Sequence, residues 1–176
     1  VAKSTPPATL QGGVAQVVRV GSGTPLTIHV GADQSFQVFN ADVPGQGQIY
    51  PSDSGPDTAD MGWFVRIGGT LFAPDFDNHP AGSATGGLGT YTPFANSAIS
   101  AVTGTGSAAD PFRVTVTGTL PGQNVNVTQA VEYVNGNNYF TKRLSLANTG
   151  GANLSAQVYL GGDIYLASSD SGVPFR

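Results

Sequence analysis

The chain lacks cysteine altogether, which excludes disulfide bonds and thiolate metal sites. Charged residues make up only 10% of its 176 residues, and Glu132 is the sole glutamate. Such scarcity disfavours long helices, because their exposed faces are usually built from Glu, Lys, Arg and Ala. No segment approaches the ~20 consecutive apolar residues of a membrane-spanning helix.

The residues that are abundant favour a β protein. There are 25 glycines and 12 prolines, and 39% of the residues are hydrophobic, so the chain can form many turns and still bury a core. The net charge of −4 and the isoelectric point near 4.7 argue against nucleic-acid binding, which needs a basic surface. We therefore expect short strands joined by turns.

The predicted architecture is all-β: an antiparallel two-sheet sandwich of about ten strands with two long loops. Residues 14–176 form one domain in this interpretation, and residues 1–13 form a polar N-terminal arm or linker. The polar start VAKSTPPATLQGG is typical of a mature terminus left by cleavage, so we expect a secreted protein. Because Arg176 directly follows a predicted strand and turn, one hypothesis is that the chain is a fragment of a longer protein, and the alternative is that it is complete.

A hairpin at residues 124–147 is the clearest local feature. Asn135-Gly136 separates two runs of β-formers, a strong signal for a two-residue turn. A turn of that length pairs Val131 with Phe140 and faces both toward the core. Glu132 then points to the opposite, solvent-facing side.

Lys142 falls on the core side of this hairpin, and the predicted register places it opposite Gln129. A buried lysine is costly unless it is paired. One hypothesis is an intramolecular amide cross-link between Lys142 and an Asp or Asn side chain. The alternative is that the stem of Lys142 lies along the sheet rim while its ammonium group reaches water.

Two segments, 41–61 and 73–97, are longer than most loops of compact domains, and such loops are often functional. Six of the eleven acidic residues lie between Asp42 and Asp77. Because Ca²⁺ prefers six to eight oxygen ligands, the sequence raises the hypothesis of a calcium site. The candidate ligands are Asp75, Asp77, Asp53 and Asp57. In the alternative interpretation these side chains only cap turns.

Aromatic residues accompany the acidic ones, and sugars stack on exposed aromatic rings while Asp and Asn accept their hydroxyl protons. The candidate ligand-binding residues are Trp63, Tyr50, Tyr91 and Asn78. The alternative for Trp63 is a place in the sheet core, as its neighbours Val65 and Ile67 suggest.

Five segments carry a resemblance to a known group of proteins. They are TLFAPDFDNH (70–79), GTGSAADPFRVTVT (104–117), VTQAVEYVNGNNYF (127–140), LANTG (146–150) and GGDIYLASSDSG (161–172). In this order they resemble a β-sandwich domain of uncharacterised secreted or surface-anchored bacterial proteins. The resemblance implies export and a β-sandwich, and it supplies no catalytic residues.

Catalytic patterns are weak in this sequence. There is no G-x-S-x-G motif, no pair of carboxylates at a telling spacing, and only two histidines, His29 and His79. We therefore expect a non-enzymatic extracellular structural or adhesive module, with a cell-surface protein or glycan as partner. A carbohydrate-binding or glycan-active module is one alternative. A filament or surface-layer subunit, whose edge strands are completed by a neighbour, is the other.

Overall fold

A computed structural model describes residues 17–20, 25–40, 58, 61–78 and 90–162. Eleven strands and one short 3₁₀ helix, Phe76–Asn78, are present in these ranges. The strands are β1 (Val17–Val20), β2 (Leu26–Gly31), β3 (Phe36–Asn40), β4 (Met61–Ile67), β5 (Thr70–Ala73), β6 (Thr92–Pro93), β7 (Ala95–Ile99), β8 (Phe112–Thr119), β9 (Val125–Tyr133), β10 (Thr141–Asn148) and β11 (Ala156–Gly162). The expectation of an all-β sandwich of about ten strands is confirmed. In the described ranges no helix is long and apolar enough to cross a membrane.

The strands form three sheets. The first contains β1-β2-β3, the second β10-β9-β8-β7 and the third β11-β4-β5-β6, each in that spatial order. Strand pairs are antiparallel with one exception, the parallel pairing of β5 with β6. The predicted two layers are present, but one of them consists of two separate sheets, β1-β2-β3 and β11-β4-β5-β6.

The β10-β9-β8-β7 sheet packs against both of the others, and each contact has its own hydrophobic core. The first core joins this sheet to β2 and β3, and it includes Ile28, Val38, Val116 and Val131. The second joins it to β4 and β5 through seven buried side chains. These seven side chains belong to Val65, Ile67, Phe72, Phe94, Leu120, Val125 and Val127. Along β8 and β9 the buried side chains alternate with more exposed ones, as expected for strands that cover a core on one face.

One side of the sandwich is closed by the chain itself. Strands β6 and β7 are edge strands of the two facing sheets, and only Phe94 separates them along the chain. Phe94 is buried in the second core, and its N–H donates to the carbonyl oxygen of Ala73 at 3.0 Å. The edge strands at the opposite ends of these two sheets are β10 and β11. Because β6 and β7 share one side, β10 and β11 are the edge strands on the other, which we call the open side since no further strand of the described residues pairs with either of them there.

The predicted hairpin forms, but its register is wrong by two residues. Lys142 is paired with Val131, and Thr141 is paired with Glu132. Residues 134–140 connect the strands, and the turn within them has a positive φ at Gly136 alone, so it is not the two-residue turn expected. A shift of two residues preserves the faces, because side chains alternate with period two. The core side of the hairpin is therefore as predicted.

Other predicted features are confirmed or corrected. Gly68-Gly69 separates β4 from β5, and Gly31 to Gln34 form a turn between β2 and β3. Segment 73–97 is not a structureless loop, because its described part contains the 3₁₀ helix, β6 and the start of β7. The predicted arm at 1–13 and most of segment 41–61 lie outside the described residues.

Candidate functional site

The predicted calcium ligands are only partly within the described chain. Asp75 is partly buried just before the 3₁₀ helix, and Asp77 is exposed within it. Asp53 and Asp57 lie outside the described residues. Across the described ranges no group of three or more His, Cys, Asp or Glu side chains is placed to hold a metal ion. The calcium site stays a prediction.

Tyr91 links the two aspartates to the aromatic residues. Its hydroxyl oxygen accepts a hydrogen bond from the N–H of Asp77 at 3.0 Å, and its ring lies 6.0 Å from that of Phe76. Burial raises the pKa of Tyr91 to about 12, and the negative charges of Asp77 and Asp75 add to the increase. The phenol is therefore a neutral, partly buried packing group at physiological pH.

Two of the predicted sugar-binding residues, Trp63 and Tyr91, lie on opposite sides of their sheet. Trp63 lies on the inner face of β4, since it alternates with Val65 and its ring is 5.7 Å from Nζ of Lys142. Tyr91 lies on the other side of the sheet, where Phe76 also contacts Phe64 at 5.8 Å. Asn78 belongs to the 3₁₀ helix, and Tyr50 lies outside the described residues. Sugar binding by these four residues stays a prediction.

A buried turn lies close to the junction of the two cores. Residues Gly31 to Ser35, which join β2 to β3, are all buried, although most turns lie at protein surfaces. Within the turn Asp33 accepts hydrogen bonds from the N–H and the hydroxyl of Ser35, and Ser35 also bonds Thr58 at 2.6 Å. It reaches the opposite sheet at Gly118, where an added Cβ would lie 3.0 Å from Nε2 of Gln34.

Lys142 carries the most unusual chemistry in the described chain. Its Nζ atom is buried 3.4 Å from the centre of the Phe36 ring, and it has no hydrogen-bond partner among the described residues. Burial lowers the pKa of Lys142 well below its ordinary value, and the charge of Asp33 only partly opposes this. The ammonium group does not reach water at the sheet rim, so that alternative is wrong. Glu132 faces away from it, as predicted, and bonds Arg113 at 2.7 Å.

Buried amide side chains accompany Lys142. Both polar atoms of the Gln34 and Gln129 side chains are fully buried without a hydrogen-bond partner in the described part of the chain. Gln129 lies on β9 between Val127 in the second core and Val131 in the first. The inner face of the sandwich therefore contains a polar seam, defined as Gln34, Gln129 and Lys142, between its two apolar cores.

Three of the four edge strands of the facing sheets have features that discourage pairing with another chain. Strand β6 has only two residues, β7 contains an irregularity between Ala95 and Ala98, and β10 turns Lys142 inward. Short strands, bulges and inward-pointing charges are the usual ways in which proteins protect sheet edges. Strand β11 has none of them: it pairs continuously with β4 over seven residues, and its sequence, AQVYLGG, contains no charge and no proline.

Among the described residues, none covers the inner face of β11. Val158 is paired with the fully buried Val65 and shares its face of the sheet, yet 43% of Val158 is exposed. Leu160, paired with Trp63 on the same face, is 54% exposed. Across the open side, Leu144 and Leu146 of β10 are only partly buried against the second core. The open side thus combines an unprotected strand edge with apolar side chains from both sheets.

Comparisons of this chain with protein-family models, curated proteins and solved structures found no match. The resemblance to secreted bacterial β-sandwich domains therefore stays a prediction. The candidate site that the structure itself offers is the open side, and sequence reasoning did not locate it. One signal was available, since β11 is a strand-forming stretch without any charged residue.

Proposed function

We propose that this chain is a non-enzymatic structural or adhesive β-sandwich module of a secreted or cell-surface assembly, and that it binds an extended polypeptide strand along its open side. The observation that carries the proposal is the exposed inner face of β11, where Val158 and Leu160 are uncovered although they share a face with core residues. Exposed apolar surface that lies beside a free strand edge is typical of strand addition.

Binding in this mode has two components. The backbone edge of β11 supplies hydrogen bonds, which are the same for any extended partner. Val158 and Leu160 of β11 and Leu144 and Leu146 of β10 supply apolar contacts for alternate side chains of the partner. A suitable partner is therefore an uncharged strand with apolar residues at every second position.

A labelled peptide of alternating valine and threonine tests this proposal directly. We expect its fluorescence anisotropy to rise on titration with the wild-type chain. Leu160→Asp should abolish the rise, because it places a charge where the apolar side chains of the peptide would pack. The matched control is Ser145→Asp, which adds the same charge at an exposed position of β10 outside the inner face.

Two results would contradict the proposal. The first is a wild-type chain that leaves the anisotropy unchanged at every concentration. The second is Leu160→Asp binding as well as Ser145→Asp does. Since Leu160 is more than half exposed, its substitution should alter the free energy of unfolding by no more than ~0.5 kcal/mol, which circular dichroism during denaturation can verify.

A further inference from the structure

Exposed apolar side chains are concentrated on one strand. Five large hydrophobic residues are exposed in the described part of the chain, and three of them, Val158, Tyr159 and Leu160, are consecutive on β11. Leu154 lies just before that strand, and only Tyr139 lies elsewhere. Isolated exposed apolar residues are common on monomers, whereas a contiguous patch indicates an interaction surface.

We propose that the strand which fills the open side is β11 of a second copy of this chain. This inference rests on the proposed function and names its partner. The two β11 strands pair antiparallel around a two-fold axis at Tyr159 and join the two β11-β4-β5-β6 sheets into one. A two-fold interface uses the same patch on both subunits, so each residue must be compatible with its own symmetry mate.

The sequence of β11 meets that requirement. Pairing around Tyr159 sets Val158 of one copy against Leu160 of the other, so the inner face gains two apolar cross-strand pairs. Tyr159 faces its symmetry mate on the outer face, and Gln157 faces Gly161. No charge opposes a like charge, because AQVYLGG has none. In contrast, pairing of β10 with its own copy over its full length, TKRLSLAN, would bring two cations of each copy into the interface.

Salt provides an independent readout of this partner. Each copy carries a net charge of −4, so two copies repel one another at long range. At physiological ionic strength salt screens repulsion between charges that are more than about 8 Å apart, and it leaves apolar contacts in place. Association of two copies should therefore strengthen as salt rises.

Because the chain has no cysteine, one introduced thiol reports the interface without interference. In Tyr159→Cys the two thiols lie across a strand pair, at a separation that allows a disulfide. The control, Tyr139→Cys, replaces the exposed tyrosine that lies off β11. Under mild oxidation we expect Tyr159→Cys to form covalent dimers about tenfold faster than the control, as pre-association raises the effective thiol concentration.

Sedimentation equilibrium of the wild-type chain keeps the inference testable if a cysteine variant fails to fold. A concentration-dependent dimer that Leu160→Asp abolishes and added salt strengthens supports the inference. A wild-type monomer at all concentrations, or equal cross-linking of both cysteine variants, overturns it. If the chain stays monomeric but still binds the valine–threonine peptide, the partner is a different protein and the proposed function stands. If it does neither, both fail.

Discussion

Nζ of Lys142 lies 3.4 Å from the centre of the Phe36 ring, buried between the sheets. Burial disfavours the charged amine, so the pKa of Lys142 lies well below the ordinary value of 10.5. The unfolded chain, in contrast, keeps the ordinary pKa. Between the two pKa values only the unfolded chain binds the proton, and this proton stabilises the unfolded state.

The free energy of unfolding should therefore rise with pH. The expected rise is about 1.4 kcal/mol for each pH unit between the lowered pKa and 10.5, and it ends above 10.5. Lys142→Met should remove this dependence on pH. It should also be more stable than the wild-type chain at pH 7, because the cost of burying the amine is largest at the low end of the measured pH range. Denaturant unfolding of both proteins from pH 7 to pH 10 measures the difference, and parallel curves would rule out a lowered pKa.

The mass of the intact chain tests the hypothesis of an amide cross-link at Lys142. Asp33 is the carboxylate whose charge acts on Lys142, so it is the candidate partner. An amide between Nζ and the Asp33 carboxyl would release one water and lower the mass by about 18 Da. We expect the full sequence mass and hence a free amine. A mass about 18 Da too low in the wild-type chain, with the full sequence mass in Lys142→Arg, would establish the cross-link. The free energy of unfolding would then lose the pH dependence predicted for a free amine.

Gly118 tests whether the buried turn fits tightly against β8. A Cβ at this position would lie 3.0 Å from Nε2 of Gln34 and 3.2 Å from the carbonyl oxygen of Ala95. Gly118→Ala should lower the free energy of unfolding by about 1–3 kcal/mol, the usual cost of overpacking. The control is Gly69→Ala, where a Cβ meets nothing within 4 Å. Equal denaturation midpoints for the two variants would show that the turn can move away from β8.

Calcium binding at Asp75 and Asp77 would have two separate effects. A cation that binds only the folded chain adds about 2.7 kcal/mol to the free energy of unfolding when its free concentration is 100 times the dissociation constant. Removal of the cation by EDTA should therefore lower the melting temperature. The cation would also offset the aspartate charges that help raise the pKa of Tyr91 to about 12, so this pKa should fall. Ultraviolet titration of the wild-type chain against Tyr91→Phe, with and without Ca²⁺, measures the second effect. No change in either quantity would exclude the site.

Much of the fold follows from local sequence patterns. Alternation of apolar and polar residues predicts β8 and β9, and their inner faces are as expected because that alternation has the period of a strand. The register of β9 and β10 was not predictable in the same way. Tyr133 donates a hydrogen bond to the carbonyl oxygen of Asn137 and accepts one from the N–H of Leu26, so a contact distant in sequence holds the longer connection in place.

The candidate site was harder to predict, because its features depend on which strands become neighbours. The hairpin pattern predicts that Lys142 faces the core, but the aromatic ring beside its amine belongs to Phe36, more than a hundred residues earlier in the chain. The exposure of Val158 could not be predicted either, because apolar residues alternate along β11 as they do in a strand that covers a core on one face. Only the order of strands in the two facing sheets reveals that β11 extends past the core.

Amide hydrogen exchange of β11 at increasing protein concentration tests the open side most directly. We expect the amides of Ala156 to Gly162 that point away from β4 to exchange quickly in dilute solution and to become protected as the concentration rises. The edge amides of β10 provide an internal comparison, and their exchange rates should stay constant. Exchange of β11 that is independent of concentration and of added valine–threonine peptide would contradict the account.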